Sequence, residues 1–134
     1  MYRFLSRIVF ALFISFSTLA QTVTVKIIET SDVHGAIFPY DLKENKEINS
    51  SLARVTTYLK ELRADSNQIV FLLDNGDVLQ GDPVVYYYNF EKTDTIHLYA
   101  DVMNFMKYDA GTVGNHDIET GHDVYDKFNK EINF

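Results

Sequence analysis

The spacing of apolar and polar residues along the chain predicts three strands. Apolar and polar residues alternate through the stretch 23–28, which predicts a strand that ends near Glu29. The run 69–73 is apolar throughout, as in a strand that is covered on both faces. A third strand is predicted at 109–113, mainly because this stretch leads into the turn at Gly114.

Between and after these strands, apolar residues recur at the spacing of a helix. One helix begins after Ser50 or Ser51, either of which can cap it. Its apolar face is formed by Leu52, Val55, Leu59 and Leu62. Asp82-Pro83 is typical of a second helix start, and apolar residues at 102–106 and 124–128 indicate two later helices. The alternation of strands and helices, in the order βαβαβα, predicts an α/β fold whose parallel strands are joined by crossover connections.

A cluster of polar residues follows each predicted strand. Asp32 and His34 follow the first strand, Asp77 follows the second, and Asn115 and His116 follow the third. Parallel strands present their carboxyl ends at one edge of the sheet, where ligands bind. We therefore expect the clusters to converge, although a single cluster of this kind is common by chance. Asp32 and His34 can reach one ion if the backbone is extended there, because side chains two residues apart then point the same way.

Carboxylate, imidazole and amide groups together are a ligand set for divalent metals. Two such ions, roughly 3.5–4 Å apart, can hold a bridging hydroxide and polarise the phosphate that it attacks. We assign Asp32 and His34 to the first ion, Asp77 to both ions, and Asn115 to the second. His116 is then free to stabilise the phosphoryl oxygens or to protonate the departing alkoxide.

The remaining acids and histidines have secondary roles in this interpretation. A carboxylate beside His116 would keep its imidazole oriented and charged, and Glu119 is the candidate, with Asp117 as the alternative. His97 is predicted to be a surface histidine at the start of a helix. His122 is predicted to cap or flank the last helix, so neither adds a metal ligand.

Composition narrows the class of protein. The chain has 134 residues, a formal net charge of −7 and no cysteine. The acidic balance argues against nucleic-acid binding, and without cysteine any metal is held by nitrogen and oxygen ligands. The aromatic run 86–90 could stack nucleobases, but aromatic residues within a helix more often pack in the core, which is the interpretation we favour.

Residues 1–20 have the features of a signal peptide. They combine a basic start, an apolar centre and a small-residue cleavage site, and the apolar run is too short to span a bilayer. This predicts an exported protein, periplasmic or secreted, with no stable membrane insertion after cleavage. The mature domain would be 21–134, and nothing in its sequence implies an obligate protein partner.

Three motifs taken together resemble the calcineurin-like metallophosphoesterases. They are Ser-Asp-Val-His-Gly at 31–35, Asp-Asn-Gly-Asp-Val-Leu-Gln-Gly at 74–81, and Tyr-Asp-Ala-Gly-Thr-Val-Gly-Asn-His-Asp at 108–117. Leu-Ala-Arg at 52–54 is also similar. Within the superfamily the likeness is to the exported 5′-nucleotidase and 2′,3′-cyclic-nucleotide phosphodiesterase group.

The resemblance implies a four-layer α/β/β/α sandwich with two mixed sheets, of which 21–134 would be the N-terminal half. It implies hydrolysis of a small-molecule nucleotide or other phosphate ester with two divalent metal ions, drawn from Mn, Zn, Fe, Co and Mg. In that group a carboxylate three residues after the catalytic histidine supports it, a place that Glu119 matches. Further histidine ligands and a C-terminal base-binding domain belong to the pattern, so we expect a fragment that turns over poorly alone.

Three alternatives stay open for the function. The same scaffold would serve a nucleotide-sugar pyrophosphatase or a thiosulfate-ester hydrolase. A module that binds metal or phosphate without turnover is the third possibility. Such a degenerate module is expected to lose Asp77 or His116, and both residues are present.

Overall fold

The computed structural model describes residues 22–134, and the predicted signal peptide at 1–20 lies outside the described residues. The strands are β1 (Thr24–Thr30), β2 (Tyr40–Asp41), β3 (Lys46–Glu47), β4 (Gln68–Asp74) and β5 (Ala110–Gly111). The helices are α1 (Leu52–Arg63), α2 (Pro83–Tyr86), α3 (Leu98–Met106), α4 (Asn115–Glu119) and α5 (His122–Glu131), and α2 continues into a π-helical turn, Tyr87–Glu91. Within 22–134, no helix has both the length and the apolar composition that crossing a membrane requires.

The main sheet is parallel and has the strand order β1-β4-β5. Strand β1 pairs with β4 in a register that runs from Thr24 opposite Gln68 to Thr30 opposite Asp74. Strand β5 adds only the pairs Leu73–Ala110 and Asp74–Gly111, so the third strand is shorter than the predicted 109–113. The parallel α/β order is confirmed. Strands β2 and β3 form a separate antiparallel hairpin.

The hydrophobic core lies between one face of this sheet and the helices. Its most buried large side chains, each at most 2% exposed, are Tyr99, Leu52, Leu59, Leu72, Leu79, Met103, Met106 and Val85. Helix α1 contributes the apolar face that its spacing predicts. It begins after Ser51, whose Oγ accepts the backbone N–H of Arg54 at 3.3 Å.

The opposite face of the sheet is apolar and exposed. Val25 and Ile27 of β1 are 54% and 66% exposed, and Ile69 and Phe71 of β4 are 49% and 42% exposed. The register sets Val25 beside Ile69 and Ile27 beside Phe71, so the four form a continuous strip. The expectation that 69–73 is covered on both faces is therefore not met within the described residues. This is the face on which the resemblance places a second sheet.

His97 is buried, so the prediction of a surface histidine is wrong. It is 2% exposed and caps α3, where its Nδ1 accepts the N–H of Tyr99 at 3.1 Å. Because Nδ1 is an acceptor, Nε2 carries the proton and donates to Asn89 Oδ1 at 2.8 Å. Burial lowers the pKa of His97 to about 4. His122, by contrast, is the first residue of α5, and its side chain is 93% exposed.

The aromatic run 86–90 is largely exposed, which corrects the expectation of core packing. Tyr86, Tyr87 and Phe90 are 59%, 48% and 48% exposed. The inward positions of this segment are taken by Val85, which packs in the core, and by Asn89, whose amide donates to Leu79 O at 2.7 Å. The neighbouring rings consequently face solvent.

Candidate metal centre

Three loops meet at the carboxyl edge of the main sheet, as the strand order requires. The loop after β1 is joined to the loop after β4 by two backbone hydrogen bonds. The N–H of Asp32 donates to Gly76 O at 3.1 Å, and that of His34 donates to Asp77 O at 2.9 Å. The loop after β5 is joined to the same segment, because the N–H of His116 donates to Asp77 Oδ1 at 2.9 Å. Asp77 is thus the residue that all three loops share.

Glycine is required where two of these loops touch. A Cβ on Gly76 would lie 2.4 Å from the backbone nitrogen of Gly114. A Cβ on Gly114 would lie 2.0 Å from Asp77 Oδ1 and 2.5 Å from the Asp77 backbone nitrogen. Gly76 also has a φ of +85°, which favours glycine. The close approach of these two backbones places Asp77 beside the start of α4.

The loops bring together a group of possible metal ligands. His34, Asp77 and His116 each offer a ligand atom, and these atoms lie within 4.8 Å of one another. The ring centroids of the two histidines are 5.3 Å apart. All three residues are half-buried, as a site open to a small substrate requires. Two imidazoles and a carboxylate fit a divalent ion such as Zn²⁺ or Mn²⁺.

The tautomer of His34 suits metal binding. Its Nδ1 lies 2.9 Å from the carbonyl oxygen of Gln80. A carbonyl only accepts, so Nδ1 carries the proton and Nε2 keeps its lone pair. A hydrogen bond of this kind fixes the ring orientation of a ligating histidine.

Asp32 and Asn115 lie at the edge of this group. Asp32 is exposed and its carboxylate accepts the hydroxyl of Ser31, outside the group formed by the two histidines and Asp77. The premise of extended backbone does not hold here, because Asp32 and His34 have φ values of +51° and +49°. Asn115 is the exposed first residue of α4, directly before His116. The ligand roles of Asp32 and Asn115 stay predictions.

His116 is paired with Glu119. Its Nδ1 lies 2.8 Å from Glu119 Oε2, one helical turn later in α4. The hydrogen bond from the imidazole to this carboxylate raises the pKa of His116 above its ordinary value and lowers that of Glu119. Because the carboxylate accepts from Nδ1, Nε2 is left for a substrate or an ion.

Asp117, the alternative partner of His116, turns away from the imidazole. Its carboxylate is buried and accepts backbone N–H groups of the loops instead. Sequence reasoning missed this arrangement. The available signal was the acid three residues after the turn at Gly114, which is the spacing of a capping box at a helix start.

A buried polar chain under the site was also missed. Tyr108 donates its hydroxyl to Thr30 Oγ1 at 2.9 Å, and Thr30 donates its own to Asp74 Oδ1 at 2.9 Å. The other oxygen of Asp74 accepts the N–H of Gly76 at 3.0 Å. Burial raises the pKa of Asp74 to about 6. These hydrogen bonds hold the start of the turn at Gly76 from its buried side.

Replacing Gly114 with alanine should weaken metal binding. Its φ of −86° accepts any residue, so the effect comes from the new Cβ, which would push the Asp77 carboxylate and backbone away. We expect a loss of stability of about 1–3 kcal/mol and metal affinity lower by about 10–100-fold. Calorimetric titration with Mn²⁺ measures the second effect.

Gly121→Ala is the matched control. Its φ of +87° makes the substitution strained, yet nothing lies within 4 Å of the added Cβ. It should therefore lose stability while keeping wild-type Mn²⁺ affinity. Equal affinity in Gly114→Ala and the wild type would contradict the steric argument.

Comparison with known proteins identifies the family of this chain. Residues 25–134 match the family model described as calcineurin-like phosphoesterase. The trifunctional nucleotide phosphoesterase protein YfkN of Bacillus subtilis is 37% identical over 86% of this chain. The crystal structure of YfkN superposes with a TM-score of 0.73 at 36% identity, covering 84% of this chain and 35% of that one.

Two further relatives carry related names. The 2′,3′-cyclic-nucleotide 2′-phosphodiesterase/3′-nucleotidase of Yersinia enterocolitica is 32% identical over 81% of this chain, and the 5′-nucleotidase of Bos taurus is 32% identical over 86%. The chain spans 8% of the length of YfkN, 17% of the Yersinia protein and 20% of the bovine one. These matches, together with the strand order and the three converging loops, show that the chain belongs to the calcineurin-like phosphoesterase family.

Proposed function

We propose that this protein takes part in the metal-dependent hydrolysis of nucleotide phosphate esters. The substrates we favour are nucleoside 5′-phosphates and 2′,3′-cyclic nucleotides. The observation that carries the proposal is the convergence of His34, Asp77 and His116 within 4.8 Å at the carboxyl edge of the sheet. The names of the relatives, all phosphoesterases of nucleotides, support the substrate class.

We assign the metal ligands from the geometry of each side chain. His34 offers Nε2, because Nδ1 is bound to Gln80 O. Asp77 offers Oδ2, since Oδ1 already accepts the N–H of His116. Asp32 and Asn115 are proposed as further ligands, Asp32 of the first ion and Asn115 of the second. Divalent ions bound there would lower the pKa of coordinated water towards about 7 and polarise the phosphate.

His116 is proposed as the group that donates a proton to the departing oxygen or a hydrogen bond to the phosphate. Glu119 holds Nδ1 and favours the charged imidazole, the form in which Nε2 also carries a proton. The side chain of His116 is 37% exposed, which leaves room for a substrate to approach.

The ligand count implies that other residues contribute. Two ions of this kind take at least about four ligands each, more than His34, Asp77, Asp32 and Asn115 supply. We therefore propose that this chain works as the N-terminal part of a larger catalytic unit. Alone, it is expected to bind metal weakly and turn over poorly. Tight binding of two ions with full turnover by the isolated chain would refute this.

The experiment uses the whole gene product, stripped with a chelator and reloaded with Mn²⁺ or Zn²⁺. Phosphate release is measured with nucleoside 5′-monophosphates and 2′,3′-cyclic nucleotides, and turnover is also measured with a nucleotide sugar and a thiosulfate ester. We expect chelator-sensitive turnover of the first two classes. Preference for either of the last two would favour the corresponding alternative, and metal binding without any turnover would favour the non-catalytic module.

We also propose that the protein is exported from the cytoplasm. The basic, apolar and small-residue pattern of residues 1–20 supports export to the periplasm or the medium. Determining the N-terminus of the protein recovered outside the cytoplasm tests this, because cleavage should remove the first 20 residues.

A further inference from the structure

We propose that Asp117 is a positioning residue that shapes the Asp77 loop for metal binding before any metal is present. The inference rests on the metal site proposed above and extends it to a residue that touches neither the metal nor the substrate. Asp117 acts through the backbone of the residues that do.

The carboxylate of Asp117 accepts hydrogen bonds from four backbone N–H groups. Its Oδ2 accepts from Asp77 at 2.8 Å and from Gly114 at 2.9 Å. Its Oδ1 accepts from Val78 and Leu79, both at 2.8 Å. Asp117 is 3% exposed, so these bonds are shielded from water. The donors come from two loops that follow different strands, and one carboxylate joins them.

The neutral side chain of the same size, asparagine, cannot replace this arrangement. An ionised carboxylate is an acceptor at both oxygens and can take all four bonds. Asparagine of the same size would turn an N–H₂ group towards two of the donors, and those two bonds would be lost. Because both oxygens are occupied and buried, Asp117 is also unsuited to be a metal ligand, which separates its role from that of Asp77.

The bonds determine where the Asp77 side chain lies. Asp77 has a left-handed φ of +60°, a conformation that its own preferences do not favour. Its N–H is held by Asp117, its carbonyl accepts the N–H of His34, and its Oδ1 accepts the N–H of His116. Removing the first of these restraints frees the backbone on which the other two depend.

The competing explanation is that Asp117 only stabilises the fold as a cap of α4. The variant Asp117→Asn separates the two, with Asp109→Asn as its matched control. Asp109 also accepts a backbone N–H, from Leu72 at 2.8 Å, but this bond is made to strand β4 and not to the three loops of the site. Both variants make the same change of charge at a carboxylate that binds the backbone.

The test measures Mn²⁺ affinity by calorimetry and the melting temperature of the metal-free protein, using the whole gene product. We expect Asp117→Asn to lower Mn²⁺ affinity by about 10–100-fold and Asp109→Asn to leave it unchanged. Electron paramagnetic resonance adds a second readout, because the magnetic coupling of a manganese pair should be present in the wild type and lost in Asp117→Asn. Lower melting temperature with unchanged affinity and coupling would overturn the proposal.

Hydrogen exchange keeps the proposal testable if Asp117→Asn does not fold. In the metal-free wild type, the amides of 77–79 and 114 should exchange slowly, and adding metal should change them little. Fast exchange that slows only with metal would overturn the proposal. If the wild type binds no Mn²⁺ at all, the proposed metal site itself fails. If it binds Mn²⁺ and Asp117→Asn binds it equally well, only the role of Asp117 fails.

Discussion

Replacing Asp77 with asparagine removes metal from the site. The amide oxygen can still accept the N–H of His116, which the carboxylate accepts at 2.9 Å, so the loops should keep their shape. The negative charge and the free oxygen that serve the ions are lost. Loss of a direct ligand should lower metal affinity by more than the about 10–100-fold that loss of an outer residue costs. Metal analysis after dialysis, with calorimetric titration of Mn²⁺, measures the effect.

Asp101→Asn is the control for this change. It makes the same change of charge at an exposed position in the first turn of α3, away from the three loops. Wild-type metal content in Asp101→Asn and near-zero content in Asp77→Asn are expected. An Asp77→Asn protein that keeps its metal would remove the bridging role from that residue and, with it, the main support for the proposed site.

Replacing His116 with alanine slows turnover and leaves metal in place. General acid catalysis of the kind proposed contributes about 10²–10⁴-fold, so kcat of the whole gene product should fall by that factor. Metal content should stay near that of the wild type, because His34 and the carboxylates remain. The lone histidine at the start of α5 provides the control, since His122 is 93% exposed and its change to alanine should alter neither quantity.

The opposite outcome has a clear meaning. His116 lies within the same 4.8 Å group as His34 and Asp77, so a role as metal ligand is the competing explanation. Equal metal loss in His116→Ala and Asp77→Asn would establish that explanation and refute the division of roles.

The pH profile of Glu119→Gln tests the same assignment independently. Glu119 raises the pKa of His116. A proton donor acts only below its pKa, so wild-type activity should decline as pH rises through the raised pKa. Without the charge of Glu119 the pKa falls, and the decline should begin at lower pH. A profile that does not move would argue that His116 does not work as an acid.

The sequence predicts the parts of the fold that depend on residues close to one another along the chain. The alternation before Glu29 and the cap at Ser51 are local signals, and both elements form as predicted. The convergence of His34 with Asp77 follows from strand order alone, because parallel strands end at one edge. Strand β5 is shorter than the predicted 109–113, a prediction that rested mainly on its position before Gly114.

Features that depend on distant partners could not be predicted. Asp117 binds the backbone at 77–79, about 40 residues earlier, and no periodicity encodes such a contact. His97 is buried because Asn89 and Glu131 supply partners for its ring and its N–H. The outward direction of Tyr86 and Phe90 depends on which face of the segment packs inward, and that face is formed by Val85 and Asn89.

The contact between Gly76 and Gly114 limits how the gene can change. Every amino acid other than glycine carries a Cβ, so any missense mutation in either codon adds a carbon at that contact. At Gly76 the carbon would meet the backbone nitrogen of Gly114 at 2.4 Å, and at Gly114 it would meet the backbone nitrogen of Asp77 at 2.5 Å. A second mutation in a neighbouring side chain cannot open space that main-chain atoms occupy. These two codons therefore have no conservative substitution, and selection for a working site would retain only their synonymous variants.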